Sequence, residues 1–196
     1  DISSLVVHPN AVHIPTLGIE NVGANIDETH DVYMVDLIRK RRKLLKYITK
    51  IIRKINPDII GLSAMSWQYN TCLKIVKFIK NEFPNIKTVL GGYHATLEYK
   101  EVSDNEASKY FDFIIRGEGE IIFRDLVRSL EGNGKLEDIK GLSFKKNGKF
   151  IHNERAELLD LNQVKLPIRD KRRLTKGYHL FFEKVETIET SRGCTR

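Results

Sequence analysis

The 196-residue chain carries 33 lysines and arginines against 26 acidic residues, a net charge of +7, with 41% hydrophobic and 30% charged residues. That balance excludes a disordered chain, which has too little apolar surface to fold, and no run reaches the roughly 18 apolar residues of a membrane helix. Two cysteines cannot staple a small secreted scaffold, so a reducing, cytoplasmic compartment is expected.

The first apolar run, Leu5-Val6-Val7-His8, reads as strand one. No signal-peptide pattern precedes it, and a start at Asp1 rather than Met points to residues missing ahead of it. A weakly patterned helix follows from Thr16 to Ile26, then strand two, Val32-Tyr33-Met34-Val35. The basic runs Arg39-Lys40-Arg41-Arg42-Lys43 and Lys171-Arg172-Arg173 lack the interleaved aromatics of a base-stacking platform. They read as a solvated helix face and a linker, and no nucleic-acid partner is expected. Leu44, Leu45, Ile48, Ile51, Ile52 and Ile55 follow helical spacing. That helix stops at Asn56-Pro57, because proline disfavours helical geometry in the residue before it.

Asp58 to Ser63 reads as a buried strand three, followed by a helix with Cys72, Ile75, Val76, Ile79 and Phe83 on its apolar stripe, ended by Pro84. Cys72 is therefore a core residue. Thr88-Val89-Leu90 is strand four and Phe111 to Ile115 strand five, with a less regular helix between them. A helix from Glu118 to Leu130 turns Ile122, Leu126, Val127 and Leu130 inward.

These alternating elements predict an α/β fold, flavodoxin-like (Rossmann-like). Its five-stranded parallel sheet would have the order 2-1-3-4-5 and helices on both faces, since parallel neighbours need crossovers. Ligands of such sheets sit at the carboxyl ends of the strands. Beyond Gly132-Asn133-Gly134, two short strands flank Asn147-Gly148, a hairpin signal because both turn positions need positive φ. A polar linker then leads to a last strand, Val185 to Ile188. The expected organisation is a ligand domain over 1–132, hairpin and linker over 133–178, and a new unit from 179 to 196.

Three loops at strand carboxyl ends carry small residues. Gly61 to Ser66 follows strand three, where Ser63 could bind a ligand or cap the next helix. Gly91-Gly92-Tyr93-His94 follows strand four, and paired glycines allow a second molecule close to the backbone or simply permit a turn. His94 reads as a polar loop residue, since no other side chain shares a metal-ligand spacing with it. Arg116-Gly117-Glu118-Gly119-Glu120 opens the fifth helix. Its acids complement the helix dipole, but its glycines weaken a helix start and imply a loop shaped around something.

Ser63-Ala64-Met65 followed by Gly91-Gly92 resembles the SxL…GG pattern of cobalamin (B12)-binding domains. The pairing of Gly-Gly-Tyr-His with Arg-Gly-Glu-Gly-Glu resembles specifically the B12 domains that precede radical S-adenosylmethionine (SAM) barrels. The resemblance spans 1–132. It implies that Ser63, Ala64, Met65, Gly91, Gly92, Tyr93, Gly117 and Glu118 bind cobalamin, mostly at its nucleotide end. Domains of the methionine-synthase type carry DxHxxG after the first strand, with the histidine on cobalt. Here His13 lacks the preceding Asp and the spacing to Gly18, and a ligating imidazole is usually oriented by a carboxylate. The resemblance thus places Thr16, Leu17 and Gly18 beneath a corrin held without a protein histidine.

Glu189-Thr190-Ser191-Arg192-Gly193-Cys194 resembles the entry to the radical SAM CxxxCxxC motif. Cys194 would then be the first thiolate of a 4Fe–4S cluster, which one cysteine cannot hold. Cluster and SAM would belong to a full-length parent, an enzyme of methyltransferase type; the present chain would bind cobalamin, catalyse nothing alone, and face the barrel of the same parent chain. The alternative is a B12-like domain that has lost cobalamin and serves as a substrate-docking scaffold. A phosphoacceptor receiver would need Asp where Ser63 stands.

Overall fold

The computed structural model describes residues 12–37, 43–170, 174 and 177–192. The elements in chain order are β1 (Val12–His13), α1 (Leu17–Ala24), α2 (Leu44–Ile55), β2 (Ile59–Ser63), α3 (Tyr69–Glu82), β3 (Lys87–Gly91), α4 (Tyr93–Asp104), β4 (Phe113–Ile115), α5 (Gly119–Leu130), β5 (Leu142–Lys146), β6 (Lys149–His152), β7 (His179–Leu180) and β8 (Glu183–Lys184). The expected first strand, most of the basic run before α2, the run at 171–173 and Cys194 lie outside the described residues.

The main sheet has the order β2-β3-β4-β5-β6. β2, β3 and β4 are parallel neighbours, with Ile59 opposite Lys87, Ser63 opposite Gly91 and Leu90 opposite Ile114. These are the expected strands three, four and five, side by side in the expected order. The α/β class therefore stands, with helices on both faces. Leu90 and Ile114 pack with Val76 and Cys72 of α3 and Val102 of α4 on one face. Val89, Phe113 and Ile115 meet Ile122 and Leu126 of α5 on the other. Strand side chains alternate between faces, and helices on each face give both sets a core. Cys72 is indeed core, and burial pushes its thiol pKa up to about 12.

Sheet membership differs from the sequence expectation in three places. The hairpin is not an appendage: β5 pairs antiparallel with β4, and β6 with β5, completing the five strands. Without β5, the outer edge of β4 would leave its buried N–H and C=O groups without partners. Arg116 reinforces the join by donating to the Leu142 and Asn153 carbonyls while its guanidinium lies 4.6 Å from the Tyr99 ring. The Asn147-Gly148 turn forms as expected, with φ of 53° and 79°.

Val32–Val35 contributes a single bridge at Met34 instead of a strand. Its side chains pack on α1, Met34 Sδ lying 3.1 Å from where a Cβ on Gly23 would stand. Val185–Ile188 makes no ladder; the strands there are β7 and β8, a few residues earlier, in a separate antiparallel sheet with β1. Short apolar runs become strands only if a neighbouring edge is free, which local sequence does not specify.

A half-buried polar node ties α3 and β3 to the turn before β4. Lys80 Nζ and the Thr88 amide both donate to Asp112 Oδ2, at 2.6 and 2.8 Å. Burial alone would raise the Asp112 pKa, but the Lys80 ammonium and Thr88 donors outweigh it and hold the carboxyl below its ordinary value. A depressed folded pKa contributes stability that is complete above the unfolded carboxylate pKa, near ~3.9, and is lost as pH falls through the folded value. The urea midpoint should therefore fall as pH drops below about 4, with a smaller acid loss in Asp112→Asn. An unchanged acid slope in that variant would refute the assignment.

Candidate functional site

The carboxyl ends of β2, β3 and β4 bring two of the expected loops into direct contact. The Ala64 amide donates to the Gly91 carbonyl and the His94 amide to the Ala64 carbonyl, both at 3.1 Å. Gly92 makes this possible. With φ 89° and ψ −170° it adopts a conformation nearly closed to side chains. A Cβ there would stand 2.8 Å from Ser63 Oγ and 2.9 Å from the Ala64 nitrogen and oxygen. Its immediate role is thus the close approach of two segments of this chain.

Ser63 is not a helix cap. It ends β2, and α3 begins only at Tyr69, with Gln68 at its N-cap. Its neighbours Ala64, buried, and Met65, exposed, lead into a short 3₁₀ turn over Ser66–Gln68. Tyr93 is 58% exposed at the start of α4. His94, expected in a polar loop, is buried instead and stacks on Tyr69 at 4.0 Å.

Thr96, missed in the sequence, joins the third loop to these two. Its Oγ1 donates to the Gly92 carbonyl at 3.0 Å and accepts from the Gly117 amide at 2.9 Å. The signal was present: a hydroxyl residue one helical turn after the glycine pair. Gly117 itself has a φ of 87°. Ser63, Ala64, Gly91, Gly92 and Gly117 are thereby gathered on one rim. Among the described residues, a Cβ on Gly91 or Gly117 would meet nothing within 4 Å.

The turn at Thr16–Gly18 opens α1, which packs on α5: a Cβ on Gly119 would stand 3.1 Å from Val22 Cγ2. Among the described residues, a Cβ on Gly18 also meets nothing within 4 Å, and the buried Thr16 Oγ1 and His94 Nδ1 have no hydrogen-bond partner. Leu17 lines a cavity of about 180 Å³ together with Asn21, Pro167, Thr190 and Arg192. Glu118 points elsewhere than expected. Its Oε2 accepts from the Leu159 amide at 3.0 Å, and its Oε1 lies 3.2 Å from Arg192 Nη1.

These small-residue loops at the carboxyl edge of a parallel sheet define a ligand-binding domain of the Rossmann-like class. The B12 binding domain family model matches residues 4–127, and the chain belongs to that family. It is 33% identical to an uncharacterized methyltransferase of Pyrococcus horikoshii over 92% of this chain and 39% of that protein. It is 27% identical to the cobalamin-dependent radical SAM methyltransferase TokK of Streptomyces tokunonensis, over 54% of this chain and 15% of that one. The fold matches the cobalamin-dependent SAM radical enzyme OxsB, solved with aqua-cobalamin and S-adenosylmethionine bound, with a TM-score of 0.63 at 20% identity, covering 78% of this chain and 21% of that one. The chain thus spans well under half the length of these relatives. It is a B12-binding domain related to cobalamin-dependent radical SAM methyltransferases.

Proposed function

We propose that this domain holds cobalamin across the carboxyl ends of β2, β3 and β4, with no protein histidine on cobalt. The nucleotide arm would lie along Ser63, Ala64, Met65, Gly91, Gly92, Tyr93 and the Gly117–Glu118 backbone, and the corrin over Thr16, Leu17 and Gly18. The observation that carries this reading is that no described residue lies within 4 Å of a Cβ on Gly91 or Gly117, on a rim otherwise locked by backbone hydrogen bonds. A wall held by backbone hydrogen bonds, with unfilled glycine positions, suits a bulky ligand that needs shape more than charge.

When bound, cobalamin supplies a cobalt centre able to accept and donate a methyl group. The residues of this chain orient it and leave its upper face free. In the larger protein that face would meet a SAM-cleaving barrel, in an enzyme of methyltransferase type. Residues 1–132 would form the cobalamin domain and 133–178 the hairpin and linker. Residues 179–196 would be the first strand of the barrel, with Cys194 the first ligand of a 4Fe–4S cluster held with two further cysteines.

Hydroxocobalamin added to the chain and passed through a desalting column should stay with the protein at about one equivalent, read from corrin absorbance. Protein that emerges colourless would refute cobalamin binding and favour a docking scaffold that has lost the vitamin.

A further inference from the structure

The β4–α5 loop has a second job that the cobalamin reading does not use. Glu120, in the first turn of α5, has a side chain only 5% exposed, and its Oε1 sits 2.7 Å from Arg192 Nη1. The same Nη1 lies 3.2 Å from Glu118 Oε1, and Arg192 Nε donates to Glu189 Oε2 at 2.6 Å. Three carboxylates therefore converge on one guanidinium, which lies 72 positions along the chain from Glu120. A carboxylate this buried is costly unless paired, and the planar fork of arginine can serve several acceptors at once where an ammonium is a single point charge. Burial works against the Arg192 charge, but the hydrogen bonds it donates to Glu189 and Glu120 outweigh it and raise its pKa above the ordinary value.

We propose that Arg192 is a positioning residue: it keys residues 189–192 onto the β4–α5 loop, holding that segment in fixed register with the cofactor rim. The coupling to the cofactor rests on the reading that this loop borders the nucleotide arm of cobalamin. That arm carries an anionic phosphodiester. Arg192 offsets one of the three negative charges gathered on it; without it, the net negative charge beside the loop rises by one and disfavours an anion there. Occupancy of the rim and order of residues 189–192 should then favour each other, because coupling between sites is reciprocal.

Urea unfolding of the 196-residue chain, with and without hydroxocobalamin, tests this in wild type, Arg192→Gln, Arg192→Lys, Glu120→Gln and the Arg192→Gln/Glu120→Gln double variant. Without cofactor, each single glutamine variant should lower the midpoint, and the double variant should lose clearly less than the two single losses added, as a shared contact requires. Arg192→Lys, which keeps the charge but not the fork, should fall between wild type and Arg192→Gln. A double variant that loses the full sum would overturn the contact. Hydroxocobalamin should raise the midpoint more in wild type than in Arg192→Gln. Retention of hydroxocobalamin with an equal rise in both would overturn the coupling. Arg192→Gln leaves the buried Glu120 carboxylate without its partner, so Arg192→Lys decides the matter if Arg192→Gln does not fold. A wild-type chain that retains no corrin sinks the cofactor reading and the coupling with it, whereas the cofactor-free comparison still judges the contact.

Discussion

Alanine in place of Gly92 should cost the domain about 3 kcal/mol or more, a large share of an ordinary domain's stability. Two penalties add. The backbone, at φ 89° and ψ −170°, lies in a region that side chains hardly visit. The new methyl would also stand 2.8 Å from Ser63 Oγ and 2.9 Å from two backbone atoms of Ala64. Neither backbone atom can retreat without breaking the bonds from Ala64 to Gly91 and from His94 to Ala64. Urea unfolding should show a markedly lower midpoint with an unchanged slope. A midpoint equal to wild type would mean that the two loops are not packed as described.

Leucine in place of Gly91, one residue earlier, should do the opposite: keep the fold and abolish corrinoid retention. Gly91 is not in the positive-φ region, and a Cβ there meets no described residue within 4 Å. Stability should therefore change by no more than about 0.5 kcal/mol, the usual range for an unobstructed site. A leucine side chain would fill the space assigned to the nucleotide arm. A clash of about 1–3 kcal/mol weakens binding by roughly one to two decades, enough to lose the ligand on a desalting column. A Gly91→Leu variant that folds normally and still holds hydroxocobalamin would move the ligand away from this rim. The paired glycines thus separate two demands, one made by the protein's own backbone and one by its ligand.

Both glycines stood out in the sequence, but their different duties did not. Nothing local distinguishes Gly91 from Gly92; the difference lies in Ser63 and Ala64 on the neighbouring strand end. Ser63 is similar. As a hydroxyl ahead of a helix it reads equally well as a cap, and only the intervening turn at 66–68 removes that role. Glu118 was legible as an acid at a helix start and as a match to the family pattern. That its carboxylate holds the Leu159 amide and Arg192 depends on residues 41 and 74 positions away.

The alternation of apolar runs with helical stripes determined the α/β class, the parallel order of β2, β3 and β4, the ends of α2 and α3, and the Asn147-Gly148 turn. These features rest on periodicity and on backbone restrictions of proline, glycine and asparagine, which act within a few residues. Tertiary structure decided which edges pair: it recruited β5 and β6 into the main sheet, reduced Val32–Val35 to one bridge, and drew Arg192 onto Glu118 and Glu120. The reason is physical. An unpaired edge or a buried carboxylate takes whichever partner the completed packing brings near, and that choice is a property of the whole fold.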